Sequence, residues 1–167
     1  MARRAGDADI WRHERDYEGI DRSGALSAVD AIFLLNGLWF SAAFVQFSIA
    51  QGNTAKILVP REARDNALVP TIKASVAFLG GMNFALAALA LYLATGPKLF
   101  AEPSEQRVLL FFFALANFSQ FAFNLPVLAK GGRTGVAYWP VLSGPMLIIF
   151  LIDGCLTVID VIAAFMN

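Results

Sequence analysis

The sequence predicts an all-α fold: an integral membrane four-helix bundle preceded by a charged, amphipathic N-terminal tail. Three observations predict it. Hydrophobic residues make up 57% of the chain and charged residues only 16%, where a soluble domain carries about 25% charge. The apolar residues gather in four runs, Val29–Ala50, Pro70–Ala94, Val108–Ala129 and Tyr138–Phe165. Each meets the requirement of about 20 predominantly apolar residues for a spanning helix. The runs are continuous rather than alternating, which favours helices over membrane strands. Short connections leave one bundle over residues 29–167, with spans at about 29–50, 70–94, 107–129 and 137–166.

Residues 1–28 form the tail, with both signs of charge mixed from Arg3 to Arg22. Mixed charge fits a solvated segment. Ile10, Tyr17 and Ile20, with Trp11 nearby, fall near helical spacing and suggest a short helix on the membrane surface or on a partner. Ser27 and Asp30 make a variant of the capping box at the start of the first span. That span carries Asn36, Ser41, Gln46 and Ser48 among large apolar residues. The connection that follows is expected to hold a short surface helix near Val59–Ala67.

Pro70 suits the first turn of the second span, where its missing N–H is harmless. Ala74, Ala77, Gly81, Ala85 and Ala88 recur every three or four positions, a stripe that permits close helix packing. Asn83 follows Gly80-Gly81, and Lys73 lies where it can snorkel to the interface. Ser104 is the expected cap of the third span, with Glu105 at the positive end of the helix dipole. Arg107 in the same turn opposes that dipole and calls for an acidic partner. Within the span, Asn117, Gln120 and Asn124 stand at i, i+3 and i+7, on one helical face. Pro126 loosens its last turn and Lys130-Gly131-Gly132 ends it. Tyr138 and Trp139 mark an interface belt. A helix over 137–166 would be roughly 45 Å long against about 30 Å of hydrocarbon, so a break is expected at Ser143-Gly144-Pro145.

The last span also carries Asp153 and Asp160, seven residues apart and roughly 10 Å along the helix. A carboxylate in hydrocarbon costs several kcal/mol unless it is paired, hydrogen-bonded or protonated. Four antiparallel spans place Asn83, Asn117, Gln120 and Asp153 at one depth, with Asn36 or Gln46 near them. Arg107 and Asp160 fall at another shared depth, which predicts a structural ion pair. The amides read equally as glue between helices. A protonated Asp153 beside Asn117 and Gln120 would instead donate to a ligand carbonyl or pass on a proton. The candidate ligand-binding set is therefore Trp39, Asn83, Asn117, Gln120, Asn124 and Asp153. Phe111, Phe112, Phe113, Phe118 and Phe121 either fill lipid-facing grooves or join Trp39 around a flat lipophilic molecule.

Several chemistries are disfavoured. Cys155 is the single cysteine and His13, ahead of the first span, the single histidine. No histidine-ligated haem or metal is expected in the bundle, no metal site is predicted and no cofactor is called for. Phosphate-cradling glycine loops and nucleophile elbows are absent from the sequence. The 13 basic and 13 acidic residues balance, which gives no case for nucleic acid. The first span is expected to serve as an uncleaved anchor. Seven Lys and Arg on the side of the termini face six on the other, so orientation rests on parity: both termini on one side, taken as cytoplasmic. The four-span layout with Gly80-Gly81 resembles small bacterial proteins of the DoxX type, a likeness of layout that implies no residue's role.

These features point first to a small non-catalytic accessory or assembly subunit of a membrane complex, in a bacterial inner membrane. Its expected partners are the lipid bilayer and other membrane subunits or copies of itself. A quinone, carotenoid, sterol or lipid is the expected kind of ligand. The second expectation is a membrane-embedded enzyme with Asp153 as catalytic acid or base on a lipophilic substrate. The third is a transporter or proton channel using Asp153 and Asp160 as relay sites.

Overall fold

The structure, a computed structural model, describes residues 26–96, 100–131, 133–134, 137–138 and 141–167, with the backbone alone for 133–134 and 137–138. It is an all-α four-helix bundle. The tail from Met1, the turn at Pro97-Lys98 and the aromatic belt at Tyr138 and Trp139 lie outside the described residues or side chains.

Helix α1 (Ala28–Phe44) begins at the expected capping box: Ser27 Oγ accepts from the Asp30 amide at 3.1 Å, and Asp30 Oδ2 accepts from the Ser27 amide at 3.2 Å. It continues into a π-helical segment, Val45–Ile49. There the Ala50 amide donates to Val45 O at 2.8 Å, which leaves Gln46 O without its usual helical donor. The Thr54 hydroxyl donates to Gln46 O at 2.7 Å, and Gln46 Nε2 donates to Thr54 Oγ1 at 3.0 Å. Thr54 belongs to α2 (Gln51–Leu58), so the short helix of the connection lies upstream of the position expected for it. One 3₁₀ turn, Arg61–Ala63, follows.

Helix α3 (Val69–Thr95) has Pro70 in its first turn. Helix α4 (Pro103–Ala129) starts earlier than expected, with Glu102 rather than Ser104 at the cap position. It ends at Lys130 and at Gly131, whose φ of +68° is the left-handed conformation of a helix stop. A two-residue antiparallel ladder, β1 (Arg133–Thr134) with β2 (Ala137–Tyr138), then pairs Arg133 with Tyr138. Helix α5 (Gly144–Met166) is therefore shorter than the expected 137–166 span. The break falls at Ser143-Gly144-Pro145 as expected, with Gly144 at φ +58°. Each of the four long helices is apolar enough to cross a membrane, consistent with an integral membrane protein.

Two antiparallel pairs make up the bundle, α1 with α3 and α4 with α5. In the first pair, Gly37 lies against Leu91, and Ser48 lies against Gly80 and donates to Ala77 O at 2.9 Å. A Cβ on Gly80 would collide with Ser48 Oγ and stand 2.7 Å from its backbone nitrogen; one on Gly81 would meet nothing. The packed face of α3 is thus Val76, Gly80, Asn83, Ala87, Ala90 and Ala94. The expected stripe lies on the other side: Ala74, Gly81, Ala85 and Ala88 are exposed. In the second pair, Phe121 stacks on Phe150 at 4.6 Å and covers Gly154. Phe33, Phe40, Leu110, Phe113, Ala90 and Ala164 fill the end of the bundle nearest the described termini. Packing of this kind, rather than exclusion from water, is what holds apolar faces together within hydrocarbon.

Candidate functional site

Hydrogen bonds between buried polar side chains tie the two pairs together and also link α4 to α5. Asn36 Nδ2 donates to Asp160 Oδ1 at 2.8 Å. Asn117 Nδ2 donates to Asn36 Oδ1 at 2.8 Å and to Asp160 Oδ2 at 3.2 Å. All three residues are fully buried. Asp160 is placed by its position on the inner face of α5, two turns from Asp153, and Asn117 reaches it from the matching level of α4. The expected Arg107–Asp160 ion pair does not form: Arg107 is exposed, and both carboxyl oxygens of Asp160 are engaged by amides. An exposed first-turn cation reaches polar surroundings directly and gains little from a buried partner.

Asp153 stands one step further from the described termini. Its Oδ1 accepts from the indole Nε1 of Trp39 at 2.8 Å, and its buried Oδ2 has no partner among the described residues. The expected neighbourhood of Asp153 with Asn117 and Gln120 is thereby corrected. Asn117 joins Asp160, and Gln120, a turn further along α4, faces a cavity instead. Asn83 also stays apart: its Nδ2 donates to Leu79 O within its own helix at 3.0 Å, and its buried Oδ1 has no partner among the described residues. Shared depth did not make a shared layer: Asn117 bonds to Asn36 and Asp160, while the Asn83 amide turns back onto its own helix.

Beyond Asp153 the bundle opens. A cavity of about 460 Å³ is bounded by the π-helical segment, α2, α3, α4 and the first turns of α5. Its polar members are Gln46, Thr54, Gln120 and Asn124; Phe123, Val76, Leu79 and Met146 are typical of the rest. A second chamber of about 210 Å³ shares Gln46, Phe47, Gln120, Pro145 and Ile149 with it, is bordered by Trp39, and has exposed Ala42 and Ile148 at its open side. No side chain lining either chamber is charged. Irregular backbone at this depth is tolerated where it lines a cavity rather than lipid, and the π-helical segment supplies Gln46 and Phe47 to both chambers.

Of the sequence-predicted set, Trp39, Gln120 and Asn124 line the chambers. Asp153 touches them only through Trp39, while Asn83 and Asn117 do not line them. The aromatic forecast is corrected too. Phe111, Phe112 and Phe118 are exposed, Phe113 lies in the packed core, and Phe121 seals α4 to α5. The aromatic walls are Trp39, Phe47 and Phe123. Phe47 and Thr54 stand outside the expected set, and Gln46, expected with Asn36 near the mid-membrane layer, lines both chambers; no residue pattern marks the π-helical shift that brings them there. Among the described residues no cluster of His, Cys, Asp and Glu could hold a metal ion.

Fold and site together define a class: a membrane-type bundle of two helix pairs, joined by buried amides and acids, with an uncharged apolar cavity in one half. No protein-family model, no curated protein and no solved structure matches the chain.

Proposed function

We propose that this protein is a non-catalytic binding subunit of a membrane complex, or of its own oligomer, that holds a lipophilic molecule in the two chambers. The cavity carries the proposal: its volume falls within the roughly 300–1,000 Å³ of small-molecule sites, and a few polar groups are set in an apolar lining. A bacterial inner membrane, with both termini on the cytoplasmic side, is the setting we assign. The acid–base reading ranks second. In its favour is the unpartnered Oδ2 of Asp153; against it, Asp153 is not on the cavity wall, and Trp39 stands between it and any occupant.

Native mass spectrometry of the protein, extracted gently from its own membranes, tests the first reading. A defined apolar molecule should remain bound, and Val76→Trp, which fills the larger chamber, should release it. Loss of nothing on that substitution would refute the cavity as the site. The Asp153→Asn variant separates the two readings, because the asparagine oxygen still accepts from Trp39. Binding should survive it unchanged, whereas an acid–base enzyme would lose turnover.

A further inference from the structure

Resting on that reading, we infer that the occupant is a lipid with an uncharged, flat, oxygen-bearing head, which enters sideways from the bilayer between α3 and α4. Three features carry this. The backbones of α3 and α4 stay apart although the helices are consecutive, and the larger chamber occupies the gap between them. Leu79 on one side and Phe123 on the other both line the chamber, yet they are 47% and 80% exposed. A side chain that borders a cavity and the lipid at once marks a mouth, and this one opens along the helices rather than at the end of the bundle. A surface groove of about 390 Å³ along α3 shares Val76 and Leu79 with the chamber. An apolar tail would lie there, its head inside.

The second chamber sets the chemistry of the head. Trp39 and Phe47 give it two aromatic walls, which suit a planar ring. Gln46 and Gln120 stand where the chambers meet. The Gln120 side chain makes no hydrogen bond among the described residues, so its donor and acceptor are both free for an occupant. With no charged group in either lining, a phosphate or carboxylate head would enter unpaired, at the cost that excludes bare ions from hydrocarbon. A quinone-like ring, whose carbonyls accept from carboxamide N–H groups, meets every one of these conditions.

The test uses the full chain in nanodiscs of phosphatidylcholine and phosphatidylglycerol, with two photoreactive probes that share a diazirine-bearing alkyl tail. One has a 1,4-benzoquinone head and the other a phosphate monoester head. Labelled positions are mapped by peptide mass spectrometry. The benzoquinone probe should label the segments 76–79 and 123–127 saturably, in competition with unlabelled decyl-benzoquinone. Gln120→Leu, which breaks no internal bond, should cut that labelling about tenfold, the loss expected of one hydrogen bond to the head. Saturable labelling by the phosphate probe would overturn the uncharged head while leaving lipophile binding intact. Undiminished labelling in Gln120→Leu would overturn the placement of the ring. If both probes label exposed Phe165 as heavily as the chamber and neither is competed, the inference and the binding function fall together.

Discussion

Trp39 belongs both to the seam between the helix pairs, through its bond to Asp153, and to the cavity wall. Its indole satisfies one oxygen of Asp153, and phenylalanine would leave that carboxyl with no donor among the described residues. Trp39→Phe should therefore destabilise the bundle by about 1–3 kcal/mol, the cost of a stranded buried polar group. Asp153→Leu, made on top of it, should recover most of the loss, since removing both partners leaves nothing stranded. Thermal unfolding of the two single variants and the double in one detergent gives the coupling. Strictly additive losses would mean that the bond contributes nothing. The amide trio predicts a different size of effect. Asn117→Leu removes two hydrogen bonds at once, each worth about 0.6–2 kcal/mol within a membrane bundle. It should lower the unfolding temperature more than Asn83→Leu, which removes only a bond within its own helix. Equal effects would show that the trio does not bind the pairs together.

At the scale of elements, adjacent glycines on α3 offer a sharper comparison. A methyl group on Gly80 meets the Ser48 backbone, which cannot rotate aside, so Gly80→Ala must push α1 away from α3. On Gly81 the same methyl enters open space and brings the helix propensity gained on replacing glycine, about 1 kcal/mol. Gly80→Ala should lower the unfolding temperature and Gly81→Ala should hold or raise it; the reverse order would mean that α3 packs through its other face. The pair also shows where sequence reasoning stopped. Spacing of small residues identifies stripes that permit close packing, but α3 carries two such stripes, one turned by about 100° from the other. Only the partner decides between them, and Ser48, the residue that does so, lies 32 positions upstream of Gly80. Local chemistry was more legible. The capping box at Ser27 and Asp30, the stop at Gly131 and the break at Gly144 follow from side-chain reach and backbone sterics within a few residues.

For the described bundle as a whole, packing is tight at one end and open at the other, which on the proposed reading divides stability from binding. The apolar spans, and hence the bundle, were legible because hydrocarbon imposes a length and a composition on each helix. The cavity was not, because it arises from a π-helical shift at Val45–Ile49 and from the separation of α3 and α4, neither of which has a residue code. Trp39, Gln120 and Asn124 could be picked out as polar or amphipathic residues within apolar runs, but the same rule also selected Asn83 and Asn117, whose surroundings are packed. Such an arrangement predicts a trade of binding for stability. Ala43 lines the second chamber and is only half-buried, so Ala43→Leu would extend apolar atoms into space that the protein leaves open. In ligand-free detergent this variant should unfold a few degrees higher than the parent, the dispersion contacts of the added carbons adding about 1 kcal/mol. In the presence of decyl-benzoquinone the parent should gain stability by mass action and the variant should not. A variant that unfolds earlier without ligand and still gains on adding it would place the binding space elsewhere in the bundle.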